Sequence, residues 1–175
     1  MKLVTEKMPD LQALYVKELR LLLSAEEMIS IKAPRMAETA QDHELIQLFR
    51  QYVKETYLYI DHLREILRRT TGEADPLKCK VVYALFDEVD DLIEDASHVP
   101  VRDAALITEA QRVQHFELAG LGSLRQIARA LNLNQDAELL DRSLTEKEST
   151  NQHLTLLAAR IYPAAQKLDY ANLPE

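Results

Sequence analysis

The chain has 175 residues and a formal net charge of −8, with a sequence pI near 5.2. That length suits one domain with a real core, and only three Gly and six Pro leave little room for the tight turns of a β protein, so the expected class is all-α. The acid excess argues against a nucleic-acid partner, because phosphates are gripped by Lys and Arg.

No run approaches the roughly 20 apolar residues of a membrane span. The opening MKLVTEKMPD lacks the apolar core of a signal peptide. Cys79 is the single cysteine and has no internal disulfide partner, so a reducing cytoplasm is the expected compartment.

The first helix is predicted over about 9–40. Pro9 suits a first turn, where its missing N–H is unpaired anyway. Steps of four and three residues give the stripe Tyr15, Leu19, Leu22, Glu26, Ile29, Ala33 and Met36, and Pro34 is expected to kink or interrupt it. The second helix is predicted over about 42–69 with Asp42 as N-cap. Its stripe is Leu45, Leu48, Tyr52, Glu55, Tyr59, His62 and Ile66. The stretch TTGEADPLK, 70–78, is a loop with Gly72 and Pro76 as breakers.

A shorter amphipathic helix follows at about 79–97. Its outer side carries Asp87, Glu88, Asp90, Asp91, Glu94 and Asp95 and reads as a solvated face. The third long helix, about 101–131, has the stripe Ile107, Ala110, Gln114, Glu117, Leu121, Leu124 and Ala128. The fourth starts beside Asn134, a candidate cap, and is expected to stop before Pro163. Its stripe is Leu140, Leu144, Lys147, Asn151, Leu154, Ala158 and Ile161.

Four long helices with seven-residue apolar spacing make a bundle. Short 1–2 and 3–4 connections make two antiparallel hairpins, and the long link crosses between them. The expected fold is therefore all-α: a ferritin-like four-helix bundle with a long crossover containing a short helix. It is read as a single domain over 1–175, with the core at about 9–162 and the crossover at about 70–100.

Glu26, Glu55 and Glu117 each interrupt an apolar stripe at similar depth. A buried unpaired carboxylate costs several kcal/mol or holds its proton, so three on three helices suggest a common partner. Glu146 is the preferred candidate on the fourth helix. Four carboxylates would balance two divalent ions, and oxygen ligands suit iron or manganese.

The other reading is a metal-free polar layer, with the Lys147 ammonium reaching into the cluster. The histidines complete no standard site. Dimetal bundles pair Glu with His three residues on, whereas Leu58 follows Glu55 and Ser149 follows Glu146 at that spacing. His62 lies seven residues from Glu55, roughly 10.5 Å along a helix.

Five stretches carry a family resemblance: SAEEM at 24–28, ETYLYIDHL at 55–63, VRDAALI at 101–107, AQRVQHFELAGLGSL at 110–124 and LLDRSLTEKEST at 139–150. From about Leu11 to Ala158 the sequence resembles the YciE/YciF branch of ferritin-like proteins.

The resemblance implies a homodimeric bundle linked to bacterial stress, with metal-binding glutamates carried onto Glu26, Glu55, Glu117 and Glu146. Three departures stand out. Gln114 stands where relatives carry Glu, Lys147 replaces the second of two adjacent glutamates, and Leu58 removes a nitrogen ligand. The expected function is a ferritin-like stress-response protein with a dinuclear iron or manganese site that handles iron, oxygen or peroxide. The alternative is a non-catalytic helical stress or scaffold protein whose site has degenerated.

Overall fold

The computed structural model describes residues 8–166; the first seven residues, read above for a signal peptide, lie outside that range. Five helices follow in order: α1 (Leu11–Thr39), α2 (His43–Thr71), α3 (Lys80–Asp95), α4 (Val99–Ala130) and α5 (Asn134–Gln166). No strand occurs among the described residues. The chain is an all-α bundle of two hairpins joined by a long crossover that contains α3.

The helix ends follow local chemistry. Asp10, rather than Pro9, sets the start of α1, because its carboxylate accepts from the Ala13 N–H at 2.8 Å. Asp42 caps α2 as expected, accepting from Glu44 and Leu45. Gly72 closes α2 at φ 84°, with its N–H on the Arg68 carbonyl. That left-handed geometry is costly for a residue with a Cβ. Asn132 takes φ 58° in the short turn before α5, and α5 begins at Asn134.

Neither proline interrupts its helix: Pro34 and Pro163 both lie inside helices. A proline removes one N–H and crowds one carbonyl. The turns around Pro34 are held by the buried Ala33, Met36 and Ala37, and Pro163 lies in the last described turn of α5.

Polar contacts fix the topology. Tyr15 near the start of α1, Arg69 near the end of α2 and Asp136 at the start of α5 meet at one end of the bundle. At the other end, Asp103 of α4 accepts from the Gln41 and Asp42 N–H groups, and Arg160 of α5 reaches Asp42 and Glu44. So α1 and α5 run one way, α2 and α4 the other, and α3 carries the chain from end to end between them. This is the ferritin-like solution with one long crossover.

Helix α3 packs Val82, Phe86 and Val89 onto the bundle, while Asp87, Glu88 and Asp91 face solvent. Asp90 pairs with Lys32 and Arg35 of α1. No helix among the described residues is long and apolar enough to cross a membrane.

Asp103 is buried and satisfies two backbone donors at the α1–α2 turn. Asp103→Ala is expected to cost about 2 kcal/mol, because it strands partly buried N–H groups. Urea denaturation with an unchanged slope is the check, and a loss below about 0.5 kcal/mol would remove this tether from the account.

Candidate functional site

One layer in the middle of this bundle brings together fully buried charges. Glu26 of α1, Glu117 of α4 and Lys147 of α5 are all 0% exposed. Each sits in a mostly apolar stripe, so the same 3.6-residue period that buries the Leu, Ile and Ala residues buries the charges. The Lys147 ammonium contacts Glu117 and lies 3.2 and 3.3 Å from the two oxygens of Glu26.

Helix α2 completes the layer with aromatics. The Tyr52 hydroxyl donates to Glu117 at 2.7 Å. The ammonium stands 4.1 Å from the Tyr59 ring centre and 5.3 Å from that of Tyr52, within cation–π reach. All four long helices therefore meet at this level, and Lys147 joins α5 to α1 and α4 at once.

One ammonium faces two carboxyls. Burial pushes Glu26 well above the usual carboxylate range; Lys147 pulls it down, and the neighbouring Glu117 raises it again. Burial thus favours the protonated form of Glu26. Burial alone would lower Lys147, but Glu117 and Glu26 outweigh it, so the ammonium is held charged. Burial also raises Tyr52, and the charges of Glu117 and Glu26 add to this. The same cause, with Glu55 and Glu146, raises Tyr59. Both phenols stay protonated.

The four expected carboxylates separate into an inner and an outer pair. Glu26 and Glu117 are brought together. Glu55 is half-buried, accepting from Thr150 at 3.2 Å and from Gln51 at 2.9 Å. Glu146 is exposed, and its charge bears on Tyr59. The cause is angular: Glu146 precedes Lys147 by one residue, about 100° around α5, so only one of them can face the axis.

A divalent ion needs several ligands at about 2 Å, and the Lys147 ammonium fills the space between the inner carboxylates. His62 pairs with Ser143 at 3.2 Å. Among the described residues no group of three or more His, Cys, Asp or Glu is placed to hold an ion. The residues present do not fit a dimetal centre.

Gln114 is buried one turn from Glu117, and both its amide atoms lack a protein partner. The Glu117 oxygens are already engaged by Lys147 and Tyr52. Sequence reasoning missed the Tyr52–Glu117 bond, and also the Tyr15–Asp136–Arg69 cluster. The available signal was a tyrosine at stripe positions of α1 and α2, since a buried phenol needs an acceptor. A concavity of about 810 Å³ lies elsewhere, lined by Leu14, Leu21, Cys79, Phe116 and Ile127 among others. It does not open the polar layer.

With fold and layer described, similarity can be placed. A family model described as a domain of unknown function, DUF892, matches residues 10–167. The chain belongs to the DUF892 family. Within that family it is 30% identical to protein YciF of Escherichia coli K12 over 152 residues, which is 86% of this chain and 92% of YciF. The crystal structure of the E. coli stress protein YciF superposes with a TM-score of 0.85 at 29% identity, covering 89% of this chain and 99% of that one. YcfI of Rhodopseudomonas palustris, described as a candidate structural protein, superposes at 0.84 with 25% identity, covering 87% and 98%. The protein is thus a YciF-type member of DUF892.

Proposed function

We propose that this DUF892 protein is a non-catalytic helical stress protein with a structural role, working without metal as a cytoplasmic homodimer. One observation carries the reading. The charged layer is sealed: Lys147, Glu26 and Glu117 are paired with one another and fully buried. Oxygen or peroxide chemistry at a metal needs open coordination positions and access, and this layer offers neither. The description of YcfI as a candidate structural protein points the same way.

Exposed apolar side chains support the dimer. Leu156 is 69%, Tyr57 55% and Leu58 45% exposed, and Leu156 lines a groove with Leu48, His153 and Leu157. The single buried cysteine and the absence of a spanning helix among the described residues are consistent with the cytoplasm.

Iron or manganese handling through Glu26, Glu55, Glu117 and Glu146 is the second reading. Its support is that the charges of Glu55 and Glu146 both bear on Tyr59, beside the inner pair.

Metal analysis of protein purified without chelator separates the two readings. The expected result is far less than one iron or manganese per chain, with no melting shift on adding Fe(II) or Mn(II) anaerobically. Stoichiometric metal, or peroxide consumption that depends on it, would overturn the structural reading.

A further inference from the structure

We infer that Lys147 is the resident cation of this bundle: its ammonium takes the place of a bound metal ion between the α1 and α4 carboxylates, and exchanging this one residue for glutamate makes the layer a metal-binding one. The inference rests on the metal-independent reading above and goes a step beyond it, from what the layer lacks to what Lys147 replaces.

Position is the first support. A lysine satisfied by any nearby acid usually extends to the surface, where its stem snorkels and its head stays wet. Lys147 does the opposite. It points across the bundle axis, contacts Glu117 and lies within 3.3 Å of both Glu26 oxygens. A point charge on a flexible stem thereby joins helices from both hairpins, as an ion bridging carboxylates would.

The donors that the lysine leaves unused are the second support. Glu26 Oε1 has no hydrogen bond of good geometry. Gln114, 1% exposed, has no protein partner for either amide atom. Asn151, one turn from Lys147 on α5, leaves its buried amide oxygen unpaired. An ammonium has three donors and accepts nothing, so it cannot use all of these oxygens. A cation with six ligands, some of them waters, could.

Geometry on α5 is the third. Glutamate at 147 would keep the inward direction of the side chain but would be shorter, leaving space between three carboxylates from α1, α4 and α5. Acids from three of the four long helices would then border one space, as in bundles that use bridging carboxylates for metal; Glu55 of α2 accepts from Thr150 of α5 outside it.

The test titrates Mn(II) and Fe(II) anaerobically into wild type, Lys147→Glu, Lys147→Met and Lys147→Glu/Glu117→Gln, and reads binding by calorimetry and melting by circular dichroism. Lys147→Glu is expected to bind metal and to melt roughly 5–10 °C higher at about 100-fold excess over Kd. Lys147→Met is expected to bind none, and the double variant should lose at least tenfold in affinity.

Should three acids prevent apo folding, refolding with Mn(II) present is the readout, and Lys147→Glu/Glu26→Gln, with one acid fewer, is the second variant. A helical Lys147→Glu protein that binds no metal, or failure of both variants to fold with metal, overturns the inference while leaving the structural reading intact. Metal binding by wild type overturns the reading itself.

Discussion

Replacing Lys147 by methionine is expected to lower the unfolding free energy by about 3–5 kcal/mol, the largest effect of any single substitution in the layer. Methionine matches the stem in length and fills the same apolar space, so packing changes little. The loss is electrostatic. Glu117 would keep only the Tyr52 donor, at 2.7 Å, in a site where it is fully buried. It would have to take up a proton or carry an uncompensated charge, and either is costly.

The same logic gives a rescue. Lys147→Met/Glu117→Gln removes the ammonium and the charge it balanced, so most of the lost stability should return. Well-packed neutral replacements of buried ion pairs are often no less stable than the pair itself. Chemical denaturation of wild type, both single variants and the double variant gives the coupling energy directly. A Lys147→Met protein within 1 kcal/mol of wild type, which would be about 2–4 °C in melting temperature for a chain of this size, would show that the layer does not depend on the ammonium.

The helices were legible because their period was. Stripes such as Ile107, Ala110, Leu121 and Leu124 fix which face of α4 is buried, and the same period placed Glu26 and Glu117 inside. Asp42 and Gly72 acted as cap and stop because each does so through its own local geometry. Prolines were less informative: Pro34 interrupts nothing, since packing on the surrounding turns outweighs one lost hydrogen bond, and the helix also runs through Pro163.

The site was legible in depth but not in partners. A stripe tells which residues face the axis, and Lys147 shared one with Leu140 and Leu154. It does not tell which inward charge meets which, because that depends on the relative shift of helices along the bundle. Glu146 lies four residues before Thr150, which is buried, yet Thr150 turns toward Glu55 and Glu146 is exposed. With adjacent Glu146 and Lys147 competing for one inward position, only the structure decides between a metal ligand and a built-in cation. The pairing of Tyr52 with Glu117, 65 residues apart, is of the same kind.

Glu26→Gln is expected to make the protein less sensitive to pH, in a direction that the burial of Glu26 determines. Its folded pKa is raised above the ordinary 4.5, chiefly by desolvation. Below about 4.5 the carboxyl is protonated in both folded and unfolded chains, and its contribution to stability is complete. As pH rises, the unfolded chain ionises while the folded one holds its proton, so stability falls until the folded pKa is passed. The slope in that window approaches about 1.4 kcal/mol per pH unit.

Glutamine keeps the shape and does not titrate, so the variant lacks this loss. Its carbonyl can accept from Lys147, and its amide stands in for the protonated oxygen. The groups facing Glu26 are Lys147, Glu117, Tyr52 and Tyr59, from the three other long helices. Lys147 is itself raised, so its contribution is complete below 10.5 and lost only above that. Asp42 and Asp90, whose pKa values are lowered by Arg160 and Lys32 respectively, lose stability only as pH falls through their folded values, below 3.8. His62, lowered by burial, is common to both proteins and distant in its contacts, so it cancels in the difference. Denaturation of wild type and Glu26→Gln at matched pH from 4.5 upward should therefore show the variant gaining steadily on wild type. A difference that stays flat across that range would mean Glu26 is ionised when folded, and that Lys147 alone balances both carboxylates.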